Sequence, residues 1–132
     1  MNKKSFFFLI VMAFVVNTSF AQILVENFNY PAGDSLTGHG WTRHSGTSGT
    51  ILVGTPGLEF PNYIVTGGNN ALLYQNGEDI NKTFDSLTAG SVYTSMLVKL
   101  TANIPAAGYF FHYGRNPFNT FDFRARTWSK PD

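Results

Sequence analysis

The sequence predicts an all-β protein built as an antiparallel β-sandwich, and three observations carry that prediction. The chain holds 13 Phe, 6 Tyr and 13 Gly, while only 13% of its 132 residues are charged; aromatic side chains suit a pleated surface and Gly suits tight turns. Beyond the N-terminal segment the apolar residues alternate with period two, and no stretch shows the 3.6-residue period of a helix. Several short apolar runs are also separated by Gly, Pro and Asn clusters at regular spacing, the pattern of sandwiches. A chain of this length is one domain, which excludes a multidomain enzyme. Nine Lys and Arg against eight Asp and Glu give a net charge of +1. That balance excludes a counterion-rich partner, so no nucleic acid is expected.

The first element is a secretory signal peptide over residues 1–21, helical in its apolar part. Lys3 and Lys4 form its positive end, residues 6–16 its apolar run, and Ser19-Phe20-Ala21 the small-residue pattern before a cut between Ala21 and Gln22. Eleven apolar residues fall short of the roughly 20 that cross a bilayer, so no membrane span is expected after removal of the signal. Losing two of the nine basic residues leaves seven against eight acidic ones, a net charge of −1. There is no Cys, hence no disulfide framework, no thiolate metal site and no acylated anchor. The expected destination is outside the cytoplasm: secreted, at the cell surface, or in the periplasm.

Residues 22–132 form the sandwich domain. Its first strand is read at 23–29, entering a turn at Tyr30-Pro31-Ala32-Gly33. Two short strands follow, one near Trp41 and one over 50–53, the latter closed by Gly54, Pro56 and Gly57. Residues 71–74 read as a strand, with Asn76-Gly77 as a hairpin connection into 78–84. The clearest alternation lies at 91–101, where Val92, Met96, Val98 and Leu100 share one side and Tyr93, Ser95, Lys99 and Thr101 the other. The last two strands are read at 109–113 and 121–128; in the latter Arg124, Arg126 and Trp128 share a face opposite Phe121, Phe123 and Ala125. The final strand is followed at once by Lys130-Pro131-Asp132. It is therefore expected at a sheet edge, where an open ladder promotes self-association.

The ordered set LVENFNYPAG (24–33), Gly40-Trp41, Pro56-Gly57-Leu58, NGEDINKTF (76–84), GSVYTSMLVKLT (90–101), YFFHYG (109–114) and FRARTW (123–128) resembles the N-terminal region of extracellular Bacteroidota proteins. Those proteins are jelly rolls of the concanavalin or laminin-G type and usually carry a type IX secretion sorting tail. The resemblance spans nearly the whole mature chain and implies a jelly roll that is incomplete here, lacking its later strands and the tail. It also implies adhesion or carbohydrate contact as the role, with glycans or cell-surface components as partners. A truncated or degenerate glycan-processing enzyme and a non-functional fragment are the alternatives.

Glycoside hydrolysis needs two carboxyl groups facing one sugar ring. Glu78 and Asp79 are adjacent, and neighbours on an extended chain point to opposite faces; Glu26 and Glu59 are related by no spacing. No catalytic residue is therefore assigned. Asn76, Glu78, Asp79 and Asn81 crowd oxygen ligands near one turn, which makes calcium the one metal candidate; no other cofactor is expected. His39, His44 and His112 lack metal-ligand spacing and read as surface or loop residues. A ligand platform is read at His112, Arg124, Arg126 and Trp128, because indole faces stack on sugars and guanidinium groups offer planar donors; packing of Trp128 and the arginine stems is the competing reading. Asp34-Ser35-Leu36 and Asp85-Ser86-Leu87 resemble the O-glycosylation signal of exported Bacteroidota proteins, which nominates Ser35 and Ser86.

Overall fold

The computed structural model describes residues 22–63, 67–101, 106–119 and 121–131. The signal peptide expected over 1–21, with Ala21 of the expected cleavage site, lies outside them. The described residues are strands and connecting segments with almost no helix: a single 3-10 turn, Leu36–His39, precedes six strands. These are β1 (Thr42–Ser45), β2 (Leu52–Gly54), β3 (Asn70–Leu72), β4 (Asp79–Asn81), β5 (Gly108–Gly114) and β6 (Phe123–Ser129). They pair as three two-stranded antiparallel sheets, β1 with β4, β2 with β3 and β5 with β6.

The core is small. Leu36 and Val53 are each 1% exposed and Ile51 is also buried, with Phe28, Tyr30, Trp41, Ala71 and Ile80 packed around them. Leu36 is placed by the 3-10 turn, which Gly40 ends with φ +81°, a left-handed conformation that costs Gly little. Backbone bonds from Leu36 N–H to Ile51 O (3.1 Å) and from Val53 N–H to Asp34 O (2.9 Å) lay this turn along β2.

Asn76 and Gly77 form a tight turn, Asn76 at φ +59° and Gly77 N–H donating to Tyr74 O at 3.1 Å, but not the hairpin read from the sequence. The strands on either side of this turn have different partners: β3 pairs back to β2, and β4 reaches across 34 or more positions to β1, through Thr42–Asn81, Arg43–Ile80 and Ser45–Asp79. The turn therefore joins two sheets. His44 is the extra residue of a β-bulge in β1, since Arg43 and Ser45 face the adjacent Ile80 and Asp79.

Two expected strands have no ladder. Residues 23–29 form no strand, although Asn27 O accepts the Asn69 amide at 3.0 Å, and 91–101 make no strand pairing among the described residues. Val92, Tyr93, Met96, Val98 and Leu100 are all exposed, and the segment is held by contacts such as Tyr63 Oη to Ser95 Oγ at 2.6 Å. Alternation records which side chains seek cover; a ladder also needs a pairing strand, and none of the described strands pairs with this segment.

The hairpin of β5 and β6 contains two bulges that compensate. Its pairs run Gly108–Ser129, Tyr109–Trp128, Phe111–Thr127, Tyr113–Arg124 and Gly114–Phe123. Phe110 is the extra residue on β5, and on β6 Ala125 and Arg126 together oppose His112. Ala125 sits at φ +47°, the left-handed geometry that lets a strand take up an extra residue.

Two stability outcomes follow from this geometry. Leu36→Ala lowers the unfolding free energy by about 2–4 kcal/mol, measured by urea denaturation followed through indole fluorescence. Ala125→Gly raises it by up to about 1 kcal/mol because the strain of a left-handed Cβ is relieved; a loss of stability in the same assay would show that the bulge is absent.

Candidate functional site

The bulge at Ala125 decides which side chains share a face of the hairpin. With strict alternation Arg124, Arg126 and Trp128 would point together. The extra residue instead sends Arg124 to the opposite face, where its Nε donates to Asp122 Oδ1 at 2.9 Å, and brings Phe123 to the side of Arg126 and Trp128. The compensating bulge at Phe110 places Tyr109 and His112 on that same side. Five residues therefore meet: Tyr109, His112, Phe123, Arg126 and Trp128.

Arg126 is the centre of this cluster. Its guanidinium carbon lies 4.0 Å from the Phe123 ring centroid, 4.8 Å from Tyr109 and 5.7 Å from Trp128, a cation–π stack. Its Nε is buried and has no hydrogen-bond partner among the described residues. Tyr109 meets Trp128 edge-on at 5.7 Å, and His112 meets Phe123 edge-on at 4.5 Å. The outer rings stay open to solvent: Trp128 is 48% and Tyr109 38% exposed. Of the four platform residues read from the sequence, Trp128 faces outward, Arg126 and His112 support the cluster, and Arg124 lies elsewhere.

Beside Trp128 and Tyr109 opens a cleft of about 400 Å³ whose far side is the turn from Gln75 to Asp79. The two candidate regions of the sequence thus become the walls of one cleft. Asp79 Oδ2 accepts hydrogen bonds from Ser45 Oγ at 2.6 Å and from Tyr109 Oη at 3.2 Å, joining β1, β4 and β5. Burial pushes the Tyr109 phenol above its usual range, and the Asp79 charge adds to the shift. Burial pushes His112 below the ordinary imidazole range, helped by Arg126 and His44 and opposed by Asp79. His44 is lowered by burial too, partly offset by Asp79; it packs against the Phe118 ring at 4.0 Å, and its Nδ1 lies 3.1 Å from Asn81 Nδ2. His44 and His112 are half-buried strand residues, not the surface or loop residues read from the sequence.

The four oxygen-bearing residues offered as calcium ligands each make hydrogen bonds within the fold. Glu78 is buried, and its Oε1 accepts the Ile51 amide at 2.8 Å. The Asn76 carbonyl takes Ser48 Oγ at 2.8 Å, and Asn81 Nδ2 donates to Thr42 O at 3.2 Å. Glu78 and Asp79 point to opposite sides, as adjacent strand residues must. Among the described residues no group of three or more His, Cys, Asp or Glu side chains could hold a metal ion. Ser86 is exposed, whereas Ser35 is half-buried at the start of the 3-10 turn with its hydroxyl 2.8 Å from Thr37 Oγ1.

Sequence reasoning overlooked a second polar centre. Glu26 receives the Phe28 amide (2.9 Å), Tyr30 Oη (3.1 Å), Trp41 Nε1 (3.3 Å) and Lys82 Nζ. Phe28 and Tyr30 are local to Glu26, but Trp41 and Lys82 come from 15 and 56 residues away, so no local motif announces the full set. Phe28 adopts φ +50° and is held there by the Glu26 carboxylate, with its ring stacked 6.2 Å from Trp41. Burial raises the Glu26 carboxyl, but Lys82, the Phe28 amide and Tyr30 outweigh it, and the net direction is down; Lys82 is raised, chiefly by its bond to Glu26. Every oxygen of this carboxylate is committed to holding the fold. A more open hollow of about 510 Å³ lies between Trp41, Arg43 and Glu78, but its indole and its carboxylate are likewise engaged.

Comparison with protein-family models, curated proteins and solved structures returns no match. No helix among the described residues is long and apolar enough to cross a membrane.

The Glu26–Lys82 pair makes stability depend on pH in a defined direction. A carboxyl held below its unfolded value contributes stability above the ordinary carboxylate range, about pH 4 to 4.5, and loses it as pH falls through the folded value. Lys82 adds its share at neutral pH and loses it only on the alkaline side. Glu26→Gln therefore costs about 1.5–3 kcal/mol at neutral pH and flattens the acid limb of the stability curve. Urea titrations at a series of pH values check this, and an acid limb as steep as that of the parent protein would refute it.

Proposed function

We propose that the chain is a non-catalytic, exported β-sandwich module of jelly-roll type that contacts carbohydrate, the N-terminal part of a larger secreted or cell-surface protein. The observation that carries the reading is the half-exposed Trp128 indole, braced by Tyr109 and Arg126, at the rim of a cleft with amide and carboxylate groups on its other wall. A pyranose has an apolar C–H face and a rim of hydroxyls. An indole suits the first, and groups such as Gln75 and Asp79 suit the second.

The sandwich part of the proposal draws support from exposed alternation. Val92, Met96, Val98 and Leu100 lie uncovered on a segment with strand-like patterning, and a second layer would cover them. The motif order that resembles Bacteroidota jelly rolls points the same way. Absence of catalysis is supported by the use of the carboxylates: Glu26 binds four donors, Glu78 binds the Ile51 amide, and Asp79 binds Ser45 and Tyr109. Each of these three carboxylates is engaged in holding the fold, and none of them is shown facing a second carboxyl group across a sugar-sized gap.

The reading is tested by affinity electrophoresis of the purified protein through gels containing individual polysaccharides. At least one polysaccharide retards the protein, and Trp128→Ala weakens that binding by about tenfold or more, the loss expected for an exposed aromatic anchor. Equal mobility in every gel would dismiss carbohydrate contact, and release of reducing ends from any of them would restore the enzyme reading.

A further inference from the structure

We propose that the cleft beside Trp128 selects uncharged sugars and rejects acidic ones such as uronates and sulfated sugars. The inference rests on the glycan-contact reading above and concerns the same site. Acidic sugars are held by guanidinium or ammonium groups that donate to the carboxylate or sulfate. The charged residues that line this cleft, Glu78 and Asp79, are both acidic, and the Glu78 carboxylate is buried against the Ile51 amide.

Three nearby cations are committed, and a fourth, Arg43, lies 3.9 Å from Glu78 Oε2 and outside the residues that line this cleft. Arg126 stands behind Trp128 with its guanidinium laid across Phe123 and Tyr109 and its Nε buried without an acceptor among the described residues. Turning outward would strip three rings of their cation. Arg124 projects from the opposite face and is paired with Asp122. Lys82 is paired with Glu26, away from the cleft lining.

What the cleft does offer matches a neutral sugar. Asp79 spends one oxygen, Oδ2, on Ser45 and Tyr109, and no partner is found for Oδ1 among the described residues. An ionised carboxylate accepts from hydroxyl groups and repels another anion, an effect that salt screens. Gln75 and Asn76 add amide groups that donate and accept without charge. Stacking comes from the indole and hydroxyl recognition from the turn, and none of the residues lining the cleft is a cation.

The test uses matched pairs of polymers with neutral and acidic versions of one backbone: dextran with dextran sulfate, fully methyl-esterified polygalacturonate with polygalacturonate, and hydroxyethylcellulose with carboxymethylcellulose. Binding is measured by affinity electrophoresis at low and high salt for the parent protein, Trp128→Ala and Asp79→Asn, with circular dichroism to confirm that each variant keeps the parent's spectrum. The expected result is Trp128-dependent binding to the neutral member of a pair, at least about tenfold weaker binding to its acidic counterpart, and a narrower gap in Asp79→Asn and at high salt. Equal or tighter Trp128-dependent binding of the acidic member overturns the selectivity while leaving glycan contact in place. Binding to no polymer, or binding indifferent to Trp128→Ala, overturns glycan contact and the selectivity with it.

Discussion

The hydrogen bond from the Ile51 amide to the buried Glu78 carboxylate is the constraint from which the site follows. Its 2.8 Å span links the approach to β2 with the approach to β4, two strands that belong to different sheets. A carboxylate this deeply covered would be costly without a donor, and its second oxygen is 3.9 Å from Arg43. The Glu78 amide in turn donates to Gly49 O at 3.1 Å, so the loop before β2 and the turn before β4 run side by side. The approach is close enough that a Cβ on Gly46, at φ +70°, would run into the Gly77 carbonyl. With Glu78 drawn inward, the pleat sends Asp79 outward, where Ser45 and Tyr109 receive it. The interior bond thereby sets the position of the acceptor on the cleft wall.

Much of the local structure was legible in the sequence, because it depends on neighbours in the chain. Strands were expected near 50–53, 71–74, 78–84, 109–113 and 121–128, and each region contains one; the Gly and Asn clusters between them turn the chain as their left-handed tolerance predicts. Partnership was not legible. Asn76-Gly77 is turn chemistry wherever it occurs, and nothing in the dipeptide tells whether the flanking strands pair with each other or with β1 and β2. The ladder between Thr42–Ser45 and Asp79–Asn81 is a long-range choice made by Glu78, Ile80 and the small core.

The site was legible in part for the same reason. Trp128 and the 76–81 turn could be singled out by residue type, but their meeting across one cleft required the sheets to be assembled. The face assignment of Arg124 failed at a single residue: Ala125 carries no Gly-like mark of a bulge, and one left-handed residue shifts the alternation beyond it. Once the bulge is placed, packing and ligand contact divide between residues. Arg126 and His112 stiffen the platform, and Trp128 presents it. A ring held in one orientation before a ligand arrives loses little conformational freedom on binding.

The paired bulges of β5 and β6 carry a consequence for how this hairpin can change. Each alone would shift the register by one residue and reverse every side chain beyond it; together they return the strand ends to alignment, Gly108 with Ser129 and Gly114 with Phe123. Loss of one residue at either position would therefore rotate one half of the hairpin against the other and dismantle the aromatic stack. Simultaneous loss at both would restore a regular ribbon with different neighbours. Length variation in these two strands is thus coupled: a deletion in one is tolerated only with its counterpart in the other.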